Sequence, residues 1–447
     1  MHSESFGRTL KERRKALDLT QHMLADLVGC AVITLKKIEA DARRPSRDLA
    51  ARLGIHLRVA PAEREAWILQ ARSTGTRTLP VPAHVPPAWP ALALPSVPRP
   101  AEMARLAALV CDPTTRLVTV VGPPGVGKTQ CALQTLPSVA AHFPGGVWWL
   151  SLAALHDAAL VIPTIVQQLG LSLHTQPVTH APHPAATLVV LDTFDHLMSA
   201  AAQLAALLAA APHLTLLVTS REYLQLSIER VVRVPPLALP ASSLLDVVQA
   251  LENPAVQLFA ARAAAVCPGW ALTADNVAVV VALCRHLEGV PLALELAAAQ
   301  SQLLSPHAMR TQVSRLELLV DGPRDLPLRQ QTMRACLDWS YSRLAAHEQR
   351  LLLALTLFQG ECSRVAVERV LDDVAGGTLT PALIRQGLSS LYSKSLIERH
   401  DRPDGEPRFG MLDIIRDYAW MQLAADSDLC GFQHDHAAYH CELSITT

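Results

Sequence analysis

Thr115–Leu133, TRLVTVVGPPGVGKTQCAL, is the stretch on which the fold turns. Leu117–Val121 is a continuous apolar run with β-branched residues, the pattern of a strand buried on both faces of a parallel sheet. Gly122-Pro-Pro-Gly-Val-Gly-Lys-Thr129 then fits G-x-x-x-x-G-K-T, and KTQCALQTL opens a helix. In that strand–loop–helix setting glycines let backbone N–H groups wrap phosphate oxygens, and the helix N-terminus adds its positive end. Lys128 is placed for the β- and γ-phosphates and the Thr129 hydroxyl for Mg²⁺. The predicted nucleotide contacts here are Gly122, Gly125, Val126, Gly127, Lys128, Thr129 and Gln130.

Such a loop needs an acidic strand beside it, and ATLVVLDTFDHL supplies one. Asp192 ends the apolar run and is expected to share Mg²⁺ with Thr129. Vigorous ATPases of the AAA+ kind carry a glutamate next; here Thr193 follows. Asp195 is either a displaced base or a solvated helix-capping residue. With Lys128 and Asp192 it completes the candidate catalytic set, and slow hydrolysis is expected. A further strand, HLTLLVTSRE, ends in Arg221, which is either a sensor of the γ-phosphate or an ordinary surface arginine. The segments LVTVV, GVWWLSL, TLVVLD, LTLLVTS and VVRV predict a five-stranded parallel sheet with helices on both faces.

The 447-residue chain is long enough for several domains. No apolar run approaches the length of a membrane span, and MHSESFGRTLKERRK has no export-signal core. The nine cysteines form no CxxC pair, which fits reduced thiols and a cytoplasmic setting. The whole chain holds 39 Lys and Arg against 40 Asp and Glu, yet residues 1–72 hold 14 against 9. A basic amino-terminal module on an acidic body points to nucleic acid at one end. The eight prolines between residues 80 and 100 read as a semi-stiff linker. Beyond Pro236 helical patterns dominate. The expected partition is 1–72, a linker 73–98, an α/β domain 99–235, a helical domain 236–315, a winged-helix domain 316–430 and a helical tail 431–447.

In the basic block, TQHMLADLVGCAVITLKKIE reads as two helices and a tight turn. Thr20 is the expected N-cap, with Leu24, Leu27 and Val28 on one face. Ala25 lets the helices approach, Gly29 permits positive φ in the turn, and Leu35 and Ile38 anchor the second helix. This spacing resembles the phage-repressor (Xre/Cro) family of DNA-binding domains. The resemblance implies that Ala31–Glu39 enters the major groove of double-stranded DNA, with Val32, Thr34, Lys36 and Lys37 facing bases or phosphates. It places Arg43, Arg44 and Arg47 on backbone phosphates.

Further on, CRHLEGVPLALELAAAQSQLL follows the arginine strand. That order of motifs resembles the NB-ARC/STAND class of signal-transducing P-loop ATPases, most of all bacterial regulators that add a repressor-type domain. The resemblance implies ATP or ADP with Mg²⁺ as cofactors, Pro291 packed on the adenine, and assembly into a homo-oligomer on activation. Two departures stand out. Val97-Pro98-Arg99 has proline where the class has V-G-R, although Arg99 keeps its expected place at the nucleotide. Met411-Leu412-Asp413 lacks the histidine of the class's M-H-D triplet, leaving Arg408 or Arg416 as substitutes. The last block reads as a winged helix, with three amphipathic helices and IERHDRPDGEPRFGML as two strands around an Asp-Gly turn. Relatives commonly continue into sensor repeats, which implies a sensor region missing here or supplied elsewhere. The function expected is a nucleotide-switched, DNA-binding regulator. The rivals are a nucleotide-gated scaffold in bacterial signalling or defence and a DNA-stimulated ATPase.

Overall fold

A computed structural model describes residues 6–40, 45–57, 59, 64, 67, 71, 89–90, 96–169, 185–243, 246–312, 316, 319–320, 322, 331–358, 360–374, 380–403 and 405–425. Arg43, Arg44, most of the proline-rich linker and the expected tail lie outside those residues. The chain divides into two units, Met1–Val85 and Pro86–Thr447.

Among the described residues the first unit shows helices α1 (Phe6–Ala16), α2 (Gln21–Val28), α3 (Val32–Glu39) and α4 (Arg47–His56). Thr20 caps α2 as expected, its hydroxyl accepting the Met23 N–H at 3.1 Å. Gly29 ends α2 at φ +66°, a left-handed conformation that a Cβ would strain. Leu24, Ala25, Val28, Leu35 and Ile38 are buried in one core. Trimming Leu35 to alanine there would cost about 2–5 kcal/mol. Leu27, expected on the buried face, is exposed, because the α2 stripe narrows to Leu24 and Val28 where α3 and α4 close over it. A charged clasp joins the helices. Arg14 Nε donates to Glu39 Oε1 at 2.6 Å and Arg14 Nη1 to the Leu19 carbonyl at 2.7 Å. Gln21 Nε2 reaches Glu39 Oε2, also at 2.6 Å.

The second unit is built on a parallel sheet. After α5 (Pro100–Cys111) come β1 (Leu117–Val121), α6 (Lys128–Val139), β2 (Val147–Ser151), α7 (Val161–Gln168), β3 (Thr187–Asp192), α8 (Ala201–Ala210), β4 (Leu214–Thr219) and β5 (Glu229–Arg233). The five predicted strands are present, all parallel, in the order β2-β3-β4-β1-β5. Alternate residues face opposite ways along each strand. Leu117, Val189, Leu216 and Val218 enter one core, and Val118, Val120, Leu188 and Leu217 the other. Arg116 ties the start of β1 to its neighbours, donating to the Leu214 carbonyl at 2.7 Å and the Ala211 carbonyl at 2.6 Å. A cation at the carboxyl end of α8 also meets the negative end of that helix.

Helices follow: α9 (Val247–Glu252), α10 (Pro254–Val266), α11 (Val277–His286), α12 (Pro291–Ala299), α13 (Pro306–Gln312) and α14 (Met333–Tyr341). The winged module has α15 (Ala346–Leu355), β6 (Cys362–Ser363), α16 (Arg364–Val374), α17 (Pro381–Ser393), β7 (Glu398–Asp401), β8 (Pro407–Gly410) and α18 (Asp413–Ala425). The predicted hairpin pairs β7 with β8 antiparallel, and the two-residue β6, which the sequence pattern does not announce, adds a third strand. One hydrophobic core runs from Leu237 to Leu423 through both helical blocks. No helix among the described residues is long and apolar enough to cross a membrane.

Candidate nucleotide site and DNA-reading helix

β4 lies between the acidic strand β3 and the loop-bearing strand β1. Asp192 must therefore reach across one strand to meet the phosphate loop, and it does. Thr129 Oγ1 donates to Asp192 Oδ1 at 2.7 Å, and Thr219 Oγ1, from the tip of β4, donates to the same oxygen at 2.7 Å. Thr219 also accepts the Thr193 N–H at 2.9 Å. Sequence reasoning missed Thr219; its signal was a hydroxyl at the tip of LTLLVT, one residue before Ser220-Arg221. Asp192 is only 8% exposed, and hydroxyls meet both of its carboxylate oxygens.

Lys128 Nζ folds back on its own loop, donating to the carbonyls of Gly122 at 2.9 Å and Pro123 at 3.1 Å. Burial pushes its pKa down to about 8, opposed by Asp195, while Arg221 lowers it further. A buried ammonium with only carbonyl partners is a site short of negative charge. The loop itself is braced from α12. Leu292 N–H donates to the Gly125 carbonyl at 3.1 Å, and a Cβ at Gly125 would stand 2.8 Å from Leu292 Cβ. With φ at +75°, position 125 takes glycine for both reasons. Pro291 Cγ lies 4.0 Å from the place of a Cβ on Gly127, so the GVPLAL segment and the phosphate loop meet. Val126 is fully buried, and the buried Gln130 Oε1 has no hydrogen-bond partner among the described residues.

Three predicted residues stand differently from expectation. Arg99 is buried and its guanidinium is committed to backbone, reaching the Pro235 carbonyl and, at 2.8 Å, the Val126 carbonyl. It holds the loop from behind. Burial lowers its pKa, with Glu102 opposing. Asp195 is buried rather than solvated, and its Oδ1 accepts the Arg221 N–H. Arg221 is no free surface residue: its side chain lies against α14, over the Trp339 ring at 4.3 Å. Thr193 sits at φ +64°, a strained backbone for a β-branched residue. Its hydroxyl donates to Asp192 Oδ2 at 3.3 Å.

In the M-H-D-like triplet, Met411 and Leu412 are buried, and Asp413 accepts from Arg416 at 3.0 Å. Arg408 lies on β8, paired in register with His400. Both candidate substitutes for the missing histidine thus have partners inside the winged module. A different contact joins this turn to the GVPLAL segment: the Ile414 N–H donates to Glu288 Oε2 at 3.3 Å.

In the amino-terminal unit, Leu35 and Ile38 turn α3 so that Ile33, Lys36 and Lys37 face solvent. Thr34 is half-buried beside them. Val32, expected on the DNA side, packs partly against the core instead. Ile33, at 64% exposure, takes the outward place; its spacing from Lys36 and Lys37 was the available signal. Arg47 opens α4.

The chain is multidomain, with a helix-turn-helix domain toward its amino end, a parallel sheet carrying the G-x-x-x-x-G-K-T loop, and a winged helix-turn-helix toward its carboxyl end. Two family models match it: a helix-turn-helix domain over residues 5–67 and a winged helix-turn-helix domain over residues 344–424. A Mycobacterium tuberculosis protein provisionally named an HTH-type transcriptional regulator is 35% identical over 340 residues, covering 74% of this chain and 36% of the relative. An uncharacterised protein of the same species is 36% identical over 269 residues, covering 59% of this chain and 65% of that one. The chain thus spans about a third of the length of the regulator it matches. Among solved structures, a STAND protein with a tetratricopeptide repeat sensor from Pyrococcus horikoshii aligns at TM-score 0.31 and 17% identity, over 75% of this chain and 44% of its own. The Aeropyrum pernix Orc1 protein, solved in complex with DNA, aligns at TM-score 0.32 and 14% identity, over 76% of this chain and 94% of its own.

Proposed function

We propose that the chain is a DNA-binding transcriptional regulator whose conformation is set by a bound adenine nucleotide. The observation that carries this reading is the Thr129–Asp192–Thr219 hydrogen-bond group at 2.7 Å, formed beside a buried lysine in a chain that also carries a helix-turn-helix domain. The donor set fits the cofactor. Buried Lys128 lacks a carboxylate within hydrogen-bond reach among the described residues, and Thr129 with Asp192 offers two adjacent oxygens of the kind Mg²⁺ takes. When bound, the nucleotide supplies the negative charge that this pocket is built to neutralise. Gly122, Gly125 and Gly127 keep the loop narrow, Lys128 neutralises phosphate, and Pro291 and Leu292 close the loop from α12. Arg99 positions the loop through the Val126 carbonyl.

Hydrolysis is slow in this reading, because Thr193 brings a hydroxyl where a carboxylate base is needed and Asp195 is occupied with Arg221. The proposed partition is 1–72 for DNA, 73–98 as linker, 99–235 for the nucleotide, 236–315 and 316–430 for the helical and winged blocks. On DNA, Ile33 meets a base edge, and Lys36 and Lys37 meet phosphates or bases. The provisional name of the mycobacterial relative supports the regulatory reading. Self-association on activation would pair the half-sites that one small domain holds weakly.

The test is calorimetry on the full chain with ADP, ATP and Mg²⁺, beside Lys128→Ala. Wild-type binding that disappears in Lys128→Ala is expected. Equal affinity in both proteins would remove the assignment.

A further inference from the structure

Arg221 is the first residue but one after β4, and every group that grips it comes from elsewhere in the chain. Its guanidinium lies over the Trp339 ring at 4.3 Å. Nη1 donates to the Cys336 carbonyl at 3.2 Å and to Ser340 Oγ. Arg343 stacks on the same ring at 4.6 Å. Behind it, Ser395 Oγ donates to the Arg221 carbonyl at 3.0 Å. The side chain is 13% exposed, so the arginine is withdrawn from water.

The character of these partners matters more than their number. The ring, the hydroxyl and the carbonyl are all uncharged. Asp195 Oδ2 stands 4.0 Å from Nε, an ion pair without a hydrogen bond. An arginine whose side-chain hydrogen bonds go to uncharged groups can exchange them for phosphate, at the cost of leaving the ring and the hydroxyl. Asp195 Oδ1 meanwhile fixes the backbone at Arg221, so release requires only the side chain to turn.

We propose that Trp339 and Ser340 make the nucleotide site discriminate against a triphosphate, by holding the Arg221 side chain on α14. This rests on the nucleotide reading above. A diphosphate is served by Lys128 and the loop N–H groups and leaves the clasp intact. A triphosphate gains Arg221 only by drawing it off α14, and its apparent affinity falls by the cost of that release. The same exchange removes the hold of the Arg221 side chain on α14.

The test uses the full chain, with ADP and a non-hydrolysable ATP analogue titrated in Mg²⁺. Trp339→Leu and Ser340→Ala should each raise affinity for the analogue roughly tenfold, the equivalent of about 1.4 kcal/mol, while ADP affinity stays within about twofold. Adding Arg221→Ala to either variant should remove the gain. Ser340→Ala leaves the ring in place and serves if Trp339→Leu melts at a lower temperature. Equal shifts for both nucleotides, no shift, or a gain that survives Arg221→Ala would overturn the selection. Wild-type protein that binds neither nucleotide would overturn the nucleotide reading, and this inference with it.

Discussion

The two helix-turn-helix modules share a plan and turn it in opposite directions. In the amino-terminal one, the second helix, α3, buries Leu35 and Ile38 and leaves Ile33, Lys36 and Lys37 outward. Among the described residues those lysines make no ion pair. In the winged module the corresponding helix, α17, ends in residues committed inward. The Tyr392 ring takes the Arg233 guanidinium at 4.2 Å, and Lys394 Nζ donates to both Glu348 oxygens at 2.8 and 2.7 Å. The wing's cations are also matched, Arg399 with Asp401 at 2.8 Å and Arg402 with Glu361 at 2.6 Å. Unmatched outward charge remains available to phosphate, whereas matched charge is already committed within the module.

The sharpest way to break this contrast is through the pairs that hold each module. Glu39→Ala leaves Arg14 buried with no carboxylate, and should destabilise the amino-terminal module by about 3–5 kcal/mol in denaturant melts. A loss below about 1 kcal/mol would mean that the Arg14–Glu39 clasp is ornamental.

Glu348 should behave similarly in the winged module, with a pH signature. Burial raises its pKa, but hydrogen bonds from Lys394, Ser390 and the Ala345 N–H outweigh that and leave it lowered. A carboxyl lowered on folding contributes stability above its unfolded pKa of about 4.3 and loses it as pH falls through the folded value. Acid melts of the full chain should therefore show winged-module stability dropping below about pH 4, and Glu348→Gln should be less stable at neutral pH and flatter in acid. Equal slopes for the two proteins would remove the clasp from this position.

DNA binding tests the outward face. Lys36→Ala with Lys37→Ala should weaken binding roughly tenfold or more and reduce the salt slope by about one to two. Arg385→Ala, on the exposed face of α17, should leave both unchanged. Anisotropy titrations across salt distinguish the two, and an equal loss from Arg385→Ala would make the winged module a second reader.

The smallest effect concerns Thr193. Glycine there removes left-handed strain of about 1 kcal/mol but also the hydroxyl on Asp192, so Thr193→Gly should change stability by less than about 1 kcal/mol. Basal ATP hydrolysis should stay slow, since no carboxylate is gained. A clear rise in turnover would show that strain, not the missing base, sets the rate.

Local sequence determined a good deal of this protein. The apolar strand, the glycine loop and the helix of Thr115–Leu133 are neighbours in the chain, so their chemistry was legible without a fold. So were the Thr20 cap, the Gly29 turn and the β7–β8 hairpin, each set by interactions a few residues apart. The five strands could be counted because each is a separate apolar run. Their order was another matter, because nothing local to β4 says that it lies between β3 and β1. That order brings Thr219 to Asp192, and burial turns Arg99 to carbonyls, Arg221 to Trp339 and Arg14 to Glu39. Each of those partners lies 25 or more residues away in the chain. Periodicity fixed that α3 has a buried face, but the packing of α1 and α2 chose where its edge falls, and so exchanged Val32 for Ile33. Polar groups far apart in sequence find one another only once the cores exclude water around them, and that is a property of the tertiary structure alone.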